Sequence, residues 1–165
     1  PICDKFTKNE IFVPEMLVAA RAMQKGVEVL KPLLVGDNAV SAGKMIMGTV
    51  AGDLHDIGKN LVIMMLESAG FEVIDLGVDV PAEKFIQALE ENPDVKIVGA
   101  SALLTTTMPA LKDTVKALNE YPGRDKIKVM VGGAPITQEF ADEIGADAYT
   151  EDAASAAQVA KKLAS

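Results

Sequence analysis

The sequence has 165 residues, of which 49% are hydrophobic, so it can bury the core of one full domain with a small additional segment. The net charge of −8 argues against nucleic acid and membrane surfaces as partners, because no basic stripe is present to neutralise phosphates. The single cysteine, Cys3, cannot form an internal disulfide, and no apolar run reaches the roughly 20 residues of a membrane helix. We therefore expect a cytoplasmic protein. Because the first residue is proline rather than methionine, we expect a fragment or a processed form.

The N-terminal segment carries a helical pattern that begins near Val13. Pro14 suits a first helical turn, and apolar residues then recur at spacings of three and four up to Leu30. One such helix cannot bury its apolar stripe alone, so we expect it to pack on the main domain, on a partner or on further helices. The pattern ends near Pro32, and residues 35–38 are expected to form a turn and linker.

After this segment, strand and helix patterns alternate, which predicts an α/β fold with a doubly wound parallel sheet. Pro81 suits a first helical turn, and Gly70 and Gly145 stand where helices are expected to stop. Five strands with helical crossovers favour the flavodoxin-like order 2-1-3-4-5, with a ligand crevice between the first and third strands. Strands are expected near residues 45–50, 71–76, 95–100, 127–131 and 146–149, and helices near 59–69, 81–91, 107–120, 136–144 and 152–163.

The loop after the first predicted strand, residues 52–58, contains the only histidine of the chain, His55, with Asp53 two residues before it. In the predicted topology this loop meets the loops after the third and fourth strands, residues 101–107 and 132–135. The second loop is rich in hydroxyl groups, and the third begins with paired glycines that allow close approach to the backbone. The three loops together predict a ligand site at this edge of the sheet.

Several chemistries are excluded by counting. A zinc site or a non-haem iron site needs more ligands than His55 and Cys3 provide. A phosphate-binding loop is disfavoured because Asn60 replaces the magnesium-binding hydroxyl, and Asp53 and Asp56 would repel phosphate. A serine hydrolase lacks its Gly-x-Ser-x-Gly motif. What remains is a metal that brings most of its own ligands and takes one from the protein.

The same residues also have purely structural interpretations. A lone histidine is commonly a capping or partly buried residue. Asp53 or Asp56 could cap the helix that is predicted to begin near Lys59, and Ser101 could be an ordinary turn residue. Asp56 and Lys59 are interpreted as structural rather than chemical.

The three loops carry three short motifs, which are Asp53-Leu54-His55-Asp56-Ile57-Gly58, then Ser101-Ala102-Leu103, then Gly132-Gly133. These motifs resemble those of cobalamin-binding proteins, which carry Asp-x-His-x-x-Gly, then Ser-x-Leu, then Gly-Gly. The gaps of 42 and 28 residues between successive motifs also match the spacing of that family. Three motifs in order at these gaps favour a ligand-binding role over the structural interpretations.

The resemblance implies two parts. Residues 36–165 would form the cobalamin-binding α/β domain, and residues 1–35 would form a partial helical cap segment like that of methyl-transferring corrinoid proteins. Because the cap of that family contains more helices, its start is expected to lie outside this sequence. A cap residue near Met16 or Leu17 is expected to rest on the upper face of the corrin ring.

The resemblance also implies residue roles, with cobalamin, as methylcobalamin or another corrinoid, as the cofactor. His55 would be the lower axial ligand of cobalt in place of the cofactor's own dimethylbenzimidazole, with Asp53 holding its other ring nitrogen. Thr107 would extend this relay with a hydroxyl, where methionine synthase relatives have serine. The displaced nucleotide tail would enter the crevice, and residues 148–151 would close its far end. The implied cofactor-binding residues are Gly52, Asp53, Leu54, His55, Asp56, Ile57, Gly58, Ser101, Leu103, Thr105, Gly132 and Gly133.

The implied function is that of a corrinoid methyl carrier. Such a protein moves a methyl group on cobalt from a substrate-specific methyltransferase to a second corrinoid-dependent methyltransferase, whose acceptor is tetrahydrofolate or a similar carrier. A reductive activase is the third implied partner. The alternatives are a cobalamin-binding subunit of an adenosylcobalamin mutase, a cobalamin-based sensor, and a cofactor-free flavodoxin-like or receiver domain.

Overall fold

The computed structural model describes residues 42–164 and, before them, residues 12, 14, 15, 18, 19, 22 and 25. The described positions from Pro14 to Lys25 are helical, in agreement with the helix predicted to begin near Val13. The apolar stripe of that helix, Met16 and Leu17 included, and the predicted linker lie outside the described residues. Within the described part of the chain, no helix has the length and apolar character needed to cross a membrane.

Five parallel strands form a single sheet. They are β1 (Gly43–Thr49), β2 (Phe71–Asp75), β3 (Val95–Ser101), β4 (Lys128–Gly132) and β5 (Ala148–Tyr149). Their order is β2-β1-β3-β4-β5, which confirms the predicted topology. The central strands β1, β3 and β4 each carry one lysine near the start and are otherwise mainly apolar, because helices cover both faces of the sheet.

Five helices cover the two faces of this sheet. They are α1 (Ile57–Ser68), α2 (Ala82–Glu91), α3 (Met108–Asn119), α4 (Gln138–Ile144) and α5 (Ala153–Ala164). Helices α2, α3 and α4 pack on one face around Phe85 and Leu111, and α1 and α5 pack on the other around Met65. Helix α5 meets the sheet almost entirely through alanines, so its side chains fill little of the space beside α1.

The predicted boundaries are correct to within about two residues, and the differences have local causes. Helix α1 begins at Ile57 rather than near residue 59. Helix α4 begins after Thr137, whose side chain accepts a hydrogen bond from the Phe140 N–H at 3.2 Å. Strand β5 is shorter than predicted. The Ala146 N–H donates a hydrogen bond to the Ala141 carbonyl at the end of α4, so it does not bond to the neighbouring strand.

Candidate functional site

The carboxyl ends of β1, β3 and β4 stand side by side. Thr49 is the register partner of Ser101, and Ser101 is the register partner of Gly132. The loops that follow these strands therefore leave the sheet at one level, as the parallel topology predicts. This brings the stretch with His55 together with the hydroxyl-rich loop and the paired glycines.

Asp53 is the anchor of this loop cluster, and its side chain is fully buried. Its Oδ1 lies 2.7 Å from His55 Nδ1 and accepts the His55 backbone N–H at 3.1 Å. Its Oδ2 accepts the Leu103 backbone N–H at 2.7 Å and the Thr107 hydroxyl at 2.8 Å. The carboxylate therefore ties the loop after β1 to the loop after β3.

The charge of Asp53 is stable despite its burial. Burial alone raises the pKa of this carboxyl, because removal from water penalises the charged form. The hydrogen bonds from Leu103, Thr107 and His55 outweigh burial and hold the pKa of Asp53 well below its usual range. The carboxyl is thus ionised at neutral pH and accepts hydrogen bonds from both loops, and it is not the helix cap that the structural interpretation allowed.

His55 presents one ring nitrogen to the surroundings. An ionised carboxylate only accepts hydrogen bonds, so the hydrogen-bond network assigns the ring proton to Nδ1. Nε2 then carries a lone pair, and no described residue hydrogen-bonds to it. The side chain is 49% exposed, so this nitrogen is accessible as a metal ligand.

Two residues that the sequence analysis did not select support the His55 loop. Thr49 is buried, and its hydroxyl lies 3.0 Å from the His55 carbonyl oxygen and 3.1 Å from Ser101 Oγ. Asp79, in the loop after β2, accepts the Gly52 N–H at 2.7 Å and donates its own N–H to the Asp53 carbonyl at 3.0 Å. Asp79 has a φ of +52°, a conformation that aspartate tolerates better than most residues.

A cavity of about 640 Å³ opens beside His55, between the sheet, α1 and α5. Its floor is formed by Met47, Gly99 and Met130, which are register partners on three neighbouring strands. Thr150 and Glu151 line it beside β5, where the far end of the crevice was expected. Nine of the predicted contact residues line the cavity: Leu54, His55, Asp56, Ile57, Gly58, Ser101, Leu103, Gly132 and Gly133.

The other predicted site residues lie outside the lining of this cavity. Asp53 and Thr107 are buried behind His55, where they form the hydrogen-bond relay. Gly52 forms the turn with a φ of +78°. Thr105 was expected to line the crevice but is exposed, because it begins the 3-10 turn that leads into α3.

Close packing within the protein explains the glycines at positions 132 and 133 but not the glycine at position 58. At Gly133 the φ is +131°, and a Cβ would collide with the carbonyl oxygen of Ala102. A Cβ at Gly132 would lie 3.0 Å from the Thr150 carbonyl oxygen. These two residues therefore let neighbouring loops pack closely, and both also line the cavity, where they were expected to leave room for a ligand. A Cβ at Gly58, in contrast, would meet no atom of the described residues within 4 Å beyond its chain neighbours and its own helix backbone.

Asp56 and Lys59 make contacts within the protein, as expected of structural residues. Asp56 stands before the first residue of α1 but makes no capping hydrogen bond; it accepts from the Asn60 amide at 3.1 Å. The Lys59 ammonium is buried and contacts both carboxylate oxygens of Asp75 at 2.7 Å and Asn60 Oδ1 at 2.8 Å.

The fold and the site together define a class of protein. A single accessible imidazole nitrogen, oriented by a buried carboxylate, stands at the mouth of an apolar cavity. No three His, Cys, Asp or Glu side chains cluster as metal ligands among the described residues. This arrangement offers one protein ligand to a metal, which suits a metal that an organic macrocycle already holds, since such a ring leaves only axial positions open.

Comparisons with known proteins agree with this definition. Residues 43–158 match the family model described as B12 binding domain, and residues 2–31 match a second model with the same description. The chain belongs to the B12-binding domain family. The cofactor expected from the motifs, cobalamin or a related corrinoid, is thereby confirmed.

Three similar proteins are informative. Dimethylamine corrinoid protein 3 of Methanosarcina mazei is 50% identical over 161 residues, which span 96% of this chain and 95% of that protein. The structure of the monomethylamine corrinoid protein of Methanosarcina barkeri is 43% identical, with a TM-score of 0.71 over 97% of this chain and 76% of that one. One chain in the crystal structure of the methanol:cobalamin methyltransferase complex MtaBC from M. barkeri is 33% identical, with a TM-score of 0.86 over 99% of this chain and 62% of that one.

Proposed function

We propose that this protein is the corrinoid methyl carrier of a methyltransferase system, with His55 as the axial ligand of cobalt. The observation that carries the proposal is the free Nε2 of His55 at the mouth of the apolar cavity. When bound, a corrinoid supplies a cobalt ion that accepts a methyl group and gives it up to an acceptor. The described residues would bind this group, orient it and hold the ring proton of His55 on Nδ1.

The space around the cavity supports the binding of a group that the chain itself does not contain. Gly58 lines the cavity at a helical position where a Cβ would have room, so packing alone does not require glycine there. Leu54 and Ile57 are 71% and 85% exposed beside His55, which is unusual for large aliphatic side chains. A corrin ring over this surface would remove them from water, and the nucleotide tail would occupy the cavity.

The hydrogen bonds behind His55 would fix the tautomer of the imidazole. Asp53 accepts a hydrogen bond from the Nδ1–H and so keeps the lone pair on Nε2, the nitrogen that would bind the metal. The Thr107 hydroxyl has one hydrogen for two acceptors, Asp53 Oδ2 at 2.8 Å and the Leu104 carbonyl oxygen at 2.9 Å, so it can turn to either.

We propose methylamines as the class of methyl donor. The similar proteins named for dimethylamine and monomethylamine are 50% and 43% identical to this chain, against 33% for the methanol complex. The substrate-specific methyltransferase would be the partner on the donor side. A second methyltransferase on the acceptor side and a reductive activase would complete the system.

The test is the visible spectrum of the corrinoid-loaded protein. The His55→Ala variant should still bind cobalamin but shift its spectrum toward a form without a lower nitrogen ligand. An unchanged spectrum would exclude ligation by His55. Methyl uptake should then be measured with purified methyltransferases for dimethylamine and for methanol, and uptake from methanol alone would contradict the proposed donor class.

A further inference from the structure

The backbone of His55 is held by a residue outside the three motifs. Thr49, the last residue of β1, is 1% exposed, and its hydroxyl lies 3.0 Å from the His55 carbonyl oxygen. A carbonyl can only accept, so the Thr49 hydroxyl is the donor. This hydrogen bond joins the start of the loop to the histidine six residues later.

Packing contributes little to holding this part of the loop. Leu54 and Ile57, on either side of the histidine, are mostly exposed, and the His55 side chain is half-exposed. Hydrogen bonds must therefore fix the position of His55. Asp53 holds the ring and the backbone N–H, and Thr49 holds the carbonyl on the other side of the same residue.

Thr49 also connects His55 to the cavity. Its oxygen lies 3.1 Å from the hydroxyl of Ser101, which lines the cavity and is its register partner on β3. Because the only hydroxyl hydrogen of Thr49 goes to the His55 carbonyl, Ser101 must be the donor in this pair. The direction of the chain of hydrogen bonds is thus fixed, from Ser101 through Thr49 to His55.

We propose that Thr49 is a positioning residue for the axial ligand, acting on the backbone of His55 from a rigid strand end. The inference rests on the proposed role of His55. An axial bond has a narrow range of productive geometries, and a histidine on an otherwise exposed loop reaches them only when its backbone is fixed on both sides. The backbone of Thr49 is itself held, since its N–H and C=O bond to Gly77 and Val80.

The test is a double-mutant cycle in cobalamin affinity, measured with hydroxocobalamin on the full chain. If Thr49 acts through His55, Thr49→Val weakens binding roughly 2- to 10-fold, the value of one hydrogen bond, in the protein that retains His55. In the His55→Ala background the same substitution changes the affinity by less than about 1.5-fold, because the ligand that it positions is gone. Thr49→Ser keeps the hydroxyl and should restore the affinity.

A matched control separates positioning from general damage. Thr114 is equally buried and donates its hydroxyl to the Ala110 carbonyl within α3, away from the cavity. Thr114→Val should leave cobalamin affinity unchanged in both backgrounds. If Thr49→Val does not fold, Thr49→Ala and Thr49→Ser can be compared instead, since the first lacks the hydroxyl and the second retains it.

The outcomes separate this inference from the proposed function. If Thr49→Val has no effect, or an equal effect with and without His55, then Thr49 is only structural and the inference fails while the proposed function stands. If His55→Ala binds hydroxocobalamin as tightly as the parent protein and with the same spectrum, His55 is not a ligand and both fail.

Discussion

Gly58 is the second residue of α1, a position at which glycine lowers the stability of the fold. Its φ is not in the left-handed region, and outside its own helix turn a Cβ would meet no atom within 4 Å in the described part of the chain. Glycine in a helix costs about 0.5–1 kcal/mol relative to alanine. The Gly58→Ala substitution should therefore raise the free energy of unfolding of the cofactor-free protein by up to about 1 kcal/mol. For a chain of this length that is an increase in Tm of about 2–4 °C.

The same methyl group should weaken corrinoid binding. Gly58 lines the cavity beside His55, so an added Cβ would enter the space assigned to the cofactor. Forcing one extra carbon into a well-packed contact costs about 1–3 kcal/mol. This corresponds to a roughly 5- to 150-fold rise in the Kd for cobalamin. A gain in stability together with a loss of affinity is the signature of a glycine that is kept for a ligand.

Thermal unfolding of the cofactor-free protein and titration with hydroxocobalamin measure the two quantities. Gly48→Ala is the control, because a Cβ at that position would lie 2.7 Å from the Phe85 ring, on the face of the sheet opposite the cavity. It should lower Tm. If Gly58→Ala left the cobalamin affinity unchanged, the space beside Gly58 would not belong to the cofactor.

Three further predictions concern stability. The lowered pKa of Asp53 means that its charge stabilises the fold above the pKa of an unfolded carboxyl, and this contribution is lost as the pH falls through the folded pKa. The free energy of unfolding, measured with urea, should thus fall more steeply between about pH 5 and pH 2 in the parent protein than in Asp53→Asn. Equal dependence on pH in the two proteins would contradict this. Gly133→Ala should cost more than about 2 kcal/mol because of the collision with Ala102, and an unchanged Tm would show that the loop adapts. Lys59→Met should change stability by less than about 1 kcal/mol, since the Asp75 partner is 42% exposed and can be rehydrated; a loss above about 3 kcal/mol would be inconsistent with that view.

The topology and the location of the site were predictable from the sequence. Alternating apolar runs and helical patterns define five strands joined by four crossovers, and parallel topology then requires that the ends of β1, β3 and β4 meet. The position of His55 at this edge follows directly, as do Ser101 and the paired glycines. These features depend on the order of elements along the chain, which a single sequence contains.

The supports of His55 were not predictable in the same way. Thr49 and Asp79 act through single hydrogen bonds to backbone atoms, and nothing in residue spacing shows which carbonyl a hydroxyl will reach. The close contact of Gly133 with Ala102 was not predictable either, because it depends on the register of two strands. Thr105 was placed in the crevice because the 3-10 turn before α3 has no distinct sequence pattern.

The most direct measurement concerns the nitrogen on the lower face of cobalt. Because His55 is the only histidine, growth on nitrogen-15 histidine labels a single imidazole in the whole chain. In the cobalt(II) state, the electron spin couples to the axial nitrogen and splits the EPR lines into triplets for nitrogen-14 and doublets for nitrogen-15. Our account predicts triplets in the unlabelled protein that become doublets in the labelled one. Triplets that persist after labelling would show that the cofactor's own base, and not His55, binds the metal.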